Sequence, residues 1–173
     1  MTALIVPIPE AESVVGPFRE AHDPAYAEGV PAHVTVLYPF LSPSQITPAI
    51  LEELDRLFAG CVSFRATFAD FGRFPGVLYL APSDAGPFVT LTTLVVSRFP
   101  DAPPYGGQFN DVVPHLTVAH AADSRMLDLI ETDMRTRAGA ALPIQATIRE
   151  VILIEKQGVR WSRCFSFPLA AID

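Results

Sequence analysis

Lysine is nearly absent from this chain of 173 residues: Lys156 is the only one, and 19 acidic residues face a total of 12 Lys and Arg. The formal net charge is −7. Proteins that hold long nucleic acids through the phosphates usually present a basic surface. The charge balance therefore argues against long nucleic acid as a partner and favours a small or short phosphorylated ligand.

Cysteine and long apolar runs are also scarce. The two cysteines, Cys61 and Cys164, are too few for a disulfide framework and fit a reducing compartment. No stretch reaches the roughly 18 apolar residues of a membrane span, and the first residues lack the basic segment of a signal peptide. We therefore expect a soluble, cytoplasmic protein without a membrane partner.

Cofactor-binding motifs are missing as well. The sequence contains neither a Gly-x-Gly-x-x-Gly pattern nor a Walker loop, and we expect no cofactor. Half of the residues are apolar and 18% are charged, which is typical of a globular protein. The length predicts one domain over residues 1–173, and we expect it to be a monomer.

Apolar periodicity and proline or glycine punctuation predict alternating strands and helices. The predicted helices cover residues 11–21, 49–58, 87–97 and 124–137. Asp123 or Ser124 caps the last of these helices. The predicted strands cover residues 4–8, 32–38, 62–70, 77–81, 115–120, 144–155 and 160–169, with loops at 23–29 and 101–111 and a turn at 71–76.

Two similar segments stand out, Pro31-Ala32-His33-Val34-Thr35-Val36 and Val113-Pro114-His115-Leu116-Thr117-Val118. They are separated by almost half of the chain, and each half also holds a helix and a hairpin. This internal repetition predicts a pseudo-symmetric α+β fold of two lobes, with the two motif strands side by side at a common cleft.

Side chains alternate between the faces of a strand, so the His and the Thr of each motif point the same way. An imidazole transfers protons near neutral pH, and a threonine hydroxyl donates a hydrogen bond to a phosphoryl oxygen. Two such pairs around one phosphorus supply a general base, a general acid and two phosphate clamps, with no metal ion. His33 and His115 are therefore the candidate catalytic residues, and Thr35 and Thr117 the candidate clamps.

Two alternatives to this interpretation are a purely structural role and a metal site. A single His-x-Thr strand is more often structural than catalytic, but two matched copies are hard to attribute to chance. A metal site would need more ligands than two histidines, and no Cys or carboxylate lies at ligand spacing near either motif. His120 lies five residues after His115, and strict alternation predicts that it faces the other side of the strand.

The two motifs resemble those of the 2H phosphoesterase superfamily, which includes bacterial 2′-5′ RNA ligases and cyclic phosphodiesterases. The segments 34–40 and 72–80 are similar to that family too, so the resemblance covers nearly the whole chain. It implies a bilobal α+β fold in which two antiparallel sheets line a central cleft with helices outside. It also implies hydrolysis of 2′,3′-cyclic phosphates to 2′-phosphates, or reversible formation of 2′-5′ linkages in RNA processing.

Other residues are candidates for substrate binding because of their side-chain chemistry, without a motif that places them. Phe40, Phe74, Tyr79 and Trp161 are candidates for stacking on a base. Candidates for binding a second phosphate are Arg73 and Arg163.

Three functions stay open on the sequence. The first is hydrolysis of a cyclic nucleotide phosphate, acting on a small nucleotide or a short RNA end. The second is RNA 2′-5′ ligation, and the third is a non-catalytic module that binds a nucleotide phosphate. The acidic balance favours the first over the second.

Overall fold

The computed structural model describes residues 1–107 and 112–171. Eight strands and five α-helices lie within these residues. The strands are β1 Thr2–Pro7, β2 His33–Leu37, β3 Phe64–Phe74, β4 Val77–Pro82, β5 Leu116–His120, β6 Ile144–Ile148, β7 Glu150–Gln157 and β8 Arg160–Pro168. The helices are α1 Glu12–His22, α2 Pro24–Ala27, α3 Pro48–Ala59, α4 Gly86–Arg98 and α5 Ser124–Ala138.

The α+β fold class is confirmed, but the strands form one sheet where we expected two. The sheet order is β6-β3-β4-β5-β2-β1-β7-β8, and every neighbouring pair is antiparallel. The two four-stranded halves join where β2 meets β5, through the pair Val34↔Leu116. Hydrogen bonding at this junction makes the sheet continuous. The repeated motif predicts that the two strands lie side by side, but not that they pair within one sheet.

The two halves repeat one unit of strand, helix and strand. The first is β1-α1-β2 and the second is β4-α4-β5, and in each the two strands pair directly. The helices are exchanged between the halves, because α1 packs on β5 and α4 packs on β2. Each motif strand is therefore covered, on its core face, by the helix of the other half.

Local signals explain most of the element boundaries. Thr47 caps α3 by accepting a hydrogen bond from the Ile50 amide, with Pro48 at the first helical position. Of the two caps predicted for α5, Asp123 is the one observed, and its carboxylate accepts from the Arg125 amide. Each of these caps satisfies an amide that the helix itself leaves unpaired.

Three predicted boundaries were wrong. The strand predicted over 144–155 is two strands, β6 and β7, which lie in opposite halves of the sheet. The turn predicted at 71–76 is shorter, because β3 runs to Phe74 and Gly76 takes the positive φ that the tight turn needs. The loop predicted at 23–29 contains the short helix α2, which Asp23 caps. Of the loop predicted at 101–111, residues 108–111 lie outside the described part.

The main hydrophobic core lies between the sheet and the helices. It includes the motif residues Val34, Val36, Leu116 and Val118, each at most 3% exposed. A second, smaller apolar cluster lies on the other face of the sheet, with Ala3, Ile5, Val30, Ile152 and Ile154 as its buried members. The motif histidines and threonines share this second face.

Candidate active site

The two His-x-Thr motifs come together on adjacent strands, as predicted. The antiparallel pair Val34↔Leu116 sets the register, which places His33 across from Thr117 and Thr35 across from His115. Since Val34 and Leu116 point into the core, all four motif side chains point to the opposite face. Each imidazole therefore has the hydroxyl of the other motif as its neighbour.

Both imidazoles are oriented by the same backbone contact. Nδ1 of His33 lies 2.7 Å from the carbonyl oxygen of Pro31, and Nδ1 of His115 lies 2.7 Å from that of Val113. A carbonyl oxygen only accepts, so Nδ1 is the protonated nitrogen in each ring. The neutral ring then has its lone pair on Nε2, where it can take a proton from a substrate or a water.

Burial lowers the pKa of both histidines. Burial, together with the smaller effect of the positive charge of Arg19, brings the pKa of His33 down to about 4 although the hydrogen bond to the Pro31 carbonyl opposes this. The pKa of His115 is also below its usual value because of burial. Both rings are therefore mostly neutral at pH 7 in the free protein.

A bulge in β5 places a third histidine in the cleft. Thr117 and Ala119 pair with consecutive residues of β4, so Val118 is the extra residue. Val118 and Ala119 are both buried, and His120 returns to the face of Thr117. The prediction that His120 faces the other side was wrong, because a bulge reverses the alternation.

The first motif has the same bulge. Thr35 and Leu37 pair with consecutive residues of β1, and Val36 is the extra residue. Val36 and Leu37 are both buried, and Tyr38 returns to the cleft. Tyr38 and His120 are therefore equivalent positions, each five residues after a motif histidine.

His120 is held by a buried ion pair. Its Nδ1 lies 3.4 Å from Oδ1 of Asp23, whose Oδ2 accepts from Nε of Arg19 at 2.9 Å. The Asp23 and Arg19 side chains are at most 2% exposed. The hydrogen bonds from His120 and Arg19 keep the pKa of Asp23 below its usual value although burial opposes this. Sequence spacing gave no indication of this group, since the bulge and the contact between α1 and β5 create it.

Three of the four motif residues line a cavity of about 330 Å³, which we call the cleft cavity. His33, Thr35 and Thr117 lie along one part of its wall, together with His120. The rest of its lining consists of Ala3, Ile5, Asp23, Ala25, Glu28, Val30, Tyr38, Ile154, Lys156 and Trp161. The cleft cavity thus joins a polar region, where the motifs lie, to a region with apolar and aromatic walls.

His115 is packed by two aromatic rings. The ring of Phe74 lies edge-on at 5.0 Å, and the ring of Tyr79 lies at 5.3 Å. Phe74 and Tyr79 also contact each other at 4.5 Å. Phe74, a predicted substrate residue, therefore lies beside His115. Tyr79, which also contacts His115, is buried.

Two other predicted substrate residues lie elsewhere. Phe40 is a core residue, 7% exposed and packed edge-on against Phe99. Arg73 pairs on the surface with Asp128 at 2.5 Å and Glu131 at 2.7 Å. Neither Phe40 nor Arg73 lines the cleft cavity. Phe40 follows the buried end of β2, and Arg73 faces α5.

A larger cavity of about 600 Å³ lies beyond Trp161. Its charged residues are of both signs, and two of them, Arg163 and Glu150, pair with each other at 2.8 Å. Neither the histidine nor the threonine of either motif lines it. We therefore place the candidate active site in the cleft cavity.

The described part of the chain is residues 1–107 and 112–171. Within these residues no three or more His, Cys, Asp and Glu side chains are grouped so as to hold a metal ion. No helix there has both the length and the apolar composition to cross a membrane.

Comparison with known proteins identifies the family. The sequence model described as "2'-5' RNA ligase superfamily" matches residues 6–160. The chain belongs to this superfamily. A comparison with curated proteins finds no match.

Solved structures of other proteins share the fold. Escherichia coli LigT, solved in complex with 3′-AMP, is 17% identical with a TM-score of 0.60, and the match covers 97% of both chains. A protein of Thermus thermophilus is 19% identical with a TM-score of 0.63, covering 98% of each chain. A structure described only as a phosphoesterase is 16% identical with a TM-score of 0.61, again covering 98% of each chain. At these identities the matches establish the LigT-like 2H phosphoesterase fold.

Proposed function

We propose that the chain is a phosphodiesterase that hydrolyses 2′,3′-cyclic nucleotide phosphates, or related cyclic phosphates, to 2′-phosphates. The observation that carries the proposal is the matched pair of motifs. Two imidazoles that donate through Nδ1 and two threonine hydroxyls share one face of two adjacent strands. This arrangement can place a base and an acid on opposite sides of one phosphorus atom.

The reaction is an in-line displacement at phosphorus. One neutral imidazole removes a proton from a water molecule, whose oxygen forms a new bond to phosphorus. The bond from phosphorus to O3′ breaks, and the other imidazole, as imidazolium, donates a proton to O3′. The phosphate stays on O2′, and the two histidines exchange protonation states.

The pKa values favour one assignment of these roles. His33 has a pKa of about 4 and stays neutral, so it is the base in hydrolysis. His115 is then the acid, and the negative charge of the bound phosphate favours its protonated form. Thr35 and Thr117 donate hydrogen bonds to the two non-bridging oxygens, where negative charge accumulates.

Small nucleotides are the proposed substrates. The net charge of −7 disfavours a long phosphate backbone, and the cleft cavity is of limited volume. Structures of Escherichia coli LigT hold 3′-AMP, ATP and NADP⁺, which supports nucleotide binding by this fold. RNA 2′-5′ ligation is the second candidate, favoured only by the name of the matching superfamily.

Hydrolysis of the four nucleoside 2′,3′-cyclic phosphates in the presence of a chelator tests the proposal. We expect wild-type turnover to the 2′-phosphate, and a loss of about 10²-fold or more in His33→Ala and in His115→Ala. His22→Ala is the matched control, since His22 ends α1 and does not line the cleft cavity. Loss of activity in chelator, or full activity of either motif variant, would refute the two-histidine mechanism. Joining of RNA ends without hydrolysis would favour the ligase.

A further inference from the structure

A preformed hydrogen-bonding group lies in the cleft cavity away from the motifs. Glu28 accepts a hydrogen bond from Nζ of Lys156 at 2.8 Å and another from Nε1 of Trp161 at 3.1 Å. Both donors contact the same oxygen, Oε2. Within the described residues no hydrogen bond to Oε1 is found, and since Glu28 lines the cleft cavity, this oxygen can accept from a ligand there.

The backbone holds this carboxylate in place. Glu28 directly follows α2 as its C-terminal cap, and its carbonyl oxygen accepts from the Trp161 amide at 2.8 Å. The next residue, Gly29, has a φ of +89°, which turns the chain against β8. The hydrogen bond from Lys156 lowers the pKa of Glu28, so the group is an ionised acceptor at neutral pH.

Strand register sets the separation between this carboxylate and the motifs. Thr35 pairs with Ile5 of β1, and the Lys156 amide donates to the carbonyl of Met1, which lies four residues before Ile5 in the chain. By standard strand spacings the Cα atoms of Thr35 and Lys156 are roughly 17 Å apart. Because Thr35, Lys156 and Glu28 all line the cleft cavity, one ligand in it can contact the motifs and the carboxylate together.

The surface between the two regions suits a base. Its floor is the apolar cluster that contains Ala3, Ile5 and Ile154. Its wall is aromatic, because Tyr38 and Trp161 contact each other edge-on with ring centroids 6.1 Å apart. Aromatic walls of this kind bind bases of every type, so they provide affinity without selectivity.

We propose that Glu28 selects the base of the substrate by accepting a hydrogen bond from an exocyclic amine through Oε1. This proposal rests on the proposed function and adds a substrate class to it: cyclic phosphates of adenosine, cytidine and guanosine are preferred over that of uridine. Lys156 and Trp161 are positioning residues that hold the carboxylate through Oε2.

Uracil is disfavoured because of its own acceptors. Adenine, cytosine and guanine each carry an amino group, which is a donor with no acceptor on the same atom. Uracil carries carbonyl oxygens instead, and its one ring N–H lies between two of them. A carboxylate that approaches that edge is repelled by both oxygens, and a site built around a hydrogen bond rejects analogues that lack the donor.

The substitution Glu28→Gln tests the proposed base selection, because it replaces an acceptor by a donor. Lys156 and Trp161 are both donors, so the new amide will keep its oxygen on them and turn its NH₂ toward the base. The site then donates where it had accepted. We expect the wild type to favour the three amine-bearing substrates over the uridine substrate about tenfold or more in kcat/KM, and the variant to lower this ratio about tenfold or reverse it.

Glu53→Gln is the matched control. Like Glu28, Glu53 on α3 forms an ion pair, in its case with Arg98, but it lies outside the cleft cavity. Turnover of all four substrates with ratios unchanged by Glu28→Gln would overturn the inference and leave the proposed function standing.

Absence of any turnover would instead refute the proposed function. In that case calorimetric binding of 2′-AMP, 2′-CMP, 2′-GMP and 2′-UMP to both proteins decides the inference separately. Preference for the amine-bearing nucleotides that Glu28→Gln reduces or reverses would support it. Equal affinities in the wild type, or ratios unchanged in the variant, would overturn it.

Discussion

At the scale of single residues, the function depends on the protonation of two similar imidazoles in slightly different surroundings. Both are half-buried and both donate through Nδ1 to a carbonyl two residues earlier. Only His33 has the charge of Arg19 among the causes that lower its pKa. Small differences of this kind decide which of two equivalent groups is the base and which is the acid.

The pH dependence of kcat/KM follows from these pKa values. Deprotonation of His33 is required, so kcat/KM is expected to rise with pH through about 4. Protonation of His115 is required as well, and its pKa lies below 6.5, so kcat/KM should fall as pH rises through that lower value, about tenfold per pH unit. A rate profile of cyclic nucleotide hydrolysis measures both limbs.

The resulting optimum is mildly acidic, below neutral pH. A profile that rises continuously to alkaline pH would contradict the assignment of His115 as the acid. The variant His22→Ala should keep both limbs, since His22 lies outside the cleft cavity.

At the scale of elements, the packing of β3 on β4 supports the motif histidine His115. Gly72 of β3 pairs with Tyr79 of β4, whose ring covers the space that a side chain at Gly72 would occupy. A Cβ atom there would lie 2.3 Å from the Tyr79 ring, which is closer than any real contact. Glycine at this position therefore lets Tyr79 pack against His115.

Gly72→Ala is expected to lower kcat by displacing the Tyr79 ring from His115, while the chain still folds. Circular dichroism checks the fold and steady-state kinetics measure kcat. Gly139→Ala is the control, because a Cβ atom there meets no neighbour within 4 Å. Wild-type kcat in Gly72→Ala would show that the position of Tyr79 has no influence on His115.

The junction between α1 and α2 depends on a buried ion pair. Asp23→Ala would leave Arg19, which is 1% exposed, without its partner, and would remove the cap of α2. Breaking a buried pair in this way costs about 3–5 kcal/mol of unfolding free energy. Denaturant titration measures this value.

Asp123→Ala provides the comparison, because it removes an exposed helix cap without a buried charge and is expected to cost about 1 kcal/mol. Equal losses in the two variants would show that the ion pair contributes nothing beyond the cap.

At the scale of the whole molecule, charge determines which substrates approach. With a net charge of −7, the protein repels polyanions over long distances, and salt screens that repulsion. We therefore expect kcat/KM for a cyclic mononucleotide to stay constant or rise between about 50 mM and about 200 mM salt, where proteins that bind a long phosphate backbone lose affinity steeply. A steep fall would indicate a basic path for RNA and would favour the ligase.

Much of the fold and of the site could be predicted from the sequence, because the signals are local. The alternation in each His-x-Thr strand places one imidazole and one hydroxyl on one face whatever surrounds it, and the repeated motif predicts that two such strands meet. The four long helices were predicted within about two residues of their observed ends from periodicity, caps and glycine or proline punctuation. The acidic balance, which disfavours a long nucleic acid, is a property of composition alone.

Other features were decided only by tertiary structure. The join between β2 and β5 makes one sheet of the two halves, and the exchange of α1 and α4 between them has no local signal. The bulges that return Tyr38 and His120 to the cleft depend on pairing with β1 and β4. Glu28 and Lys156, far apart in the chain, meet only because β8 turns back on β7 beside α2. Local pattern determines which face a side chain takes along an undisturbed strand, whereas long-range pairing determines where alternation breaks and which distant residues become neighbours.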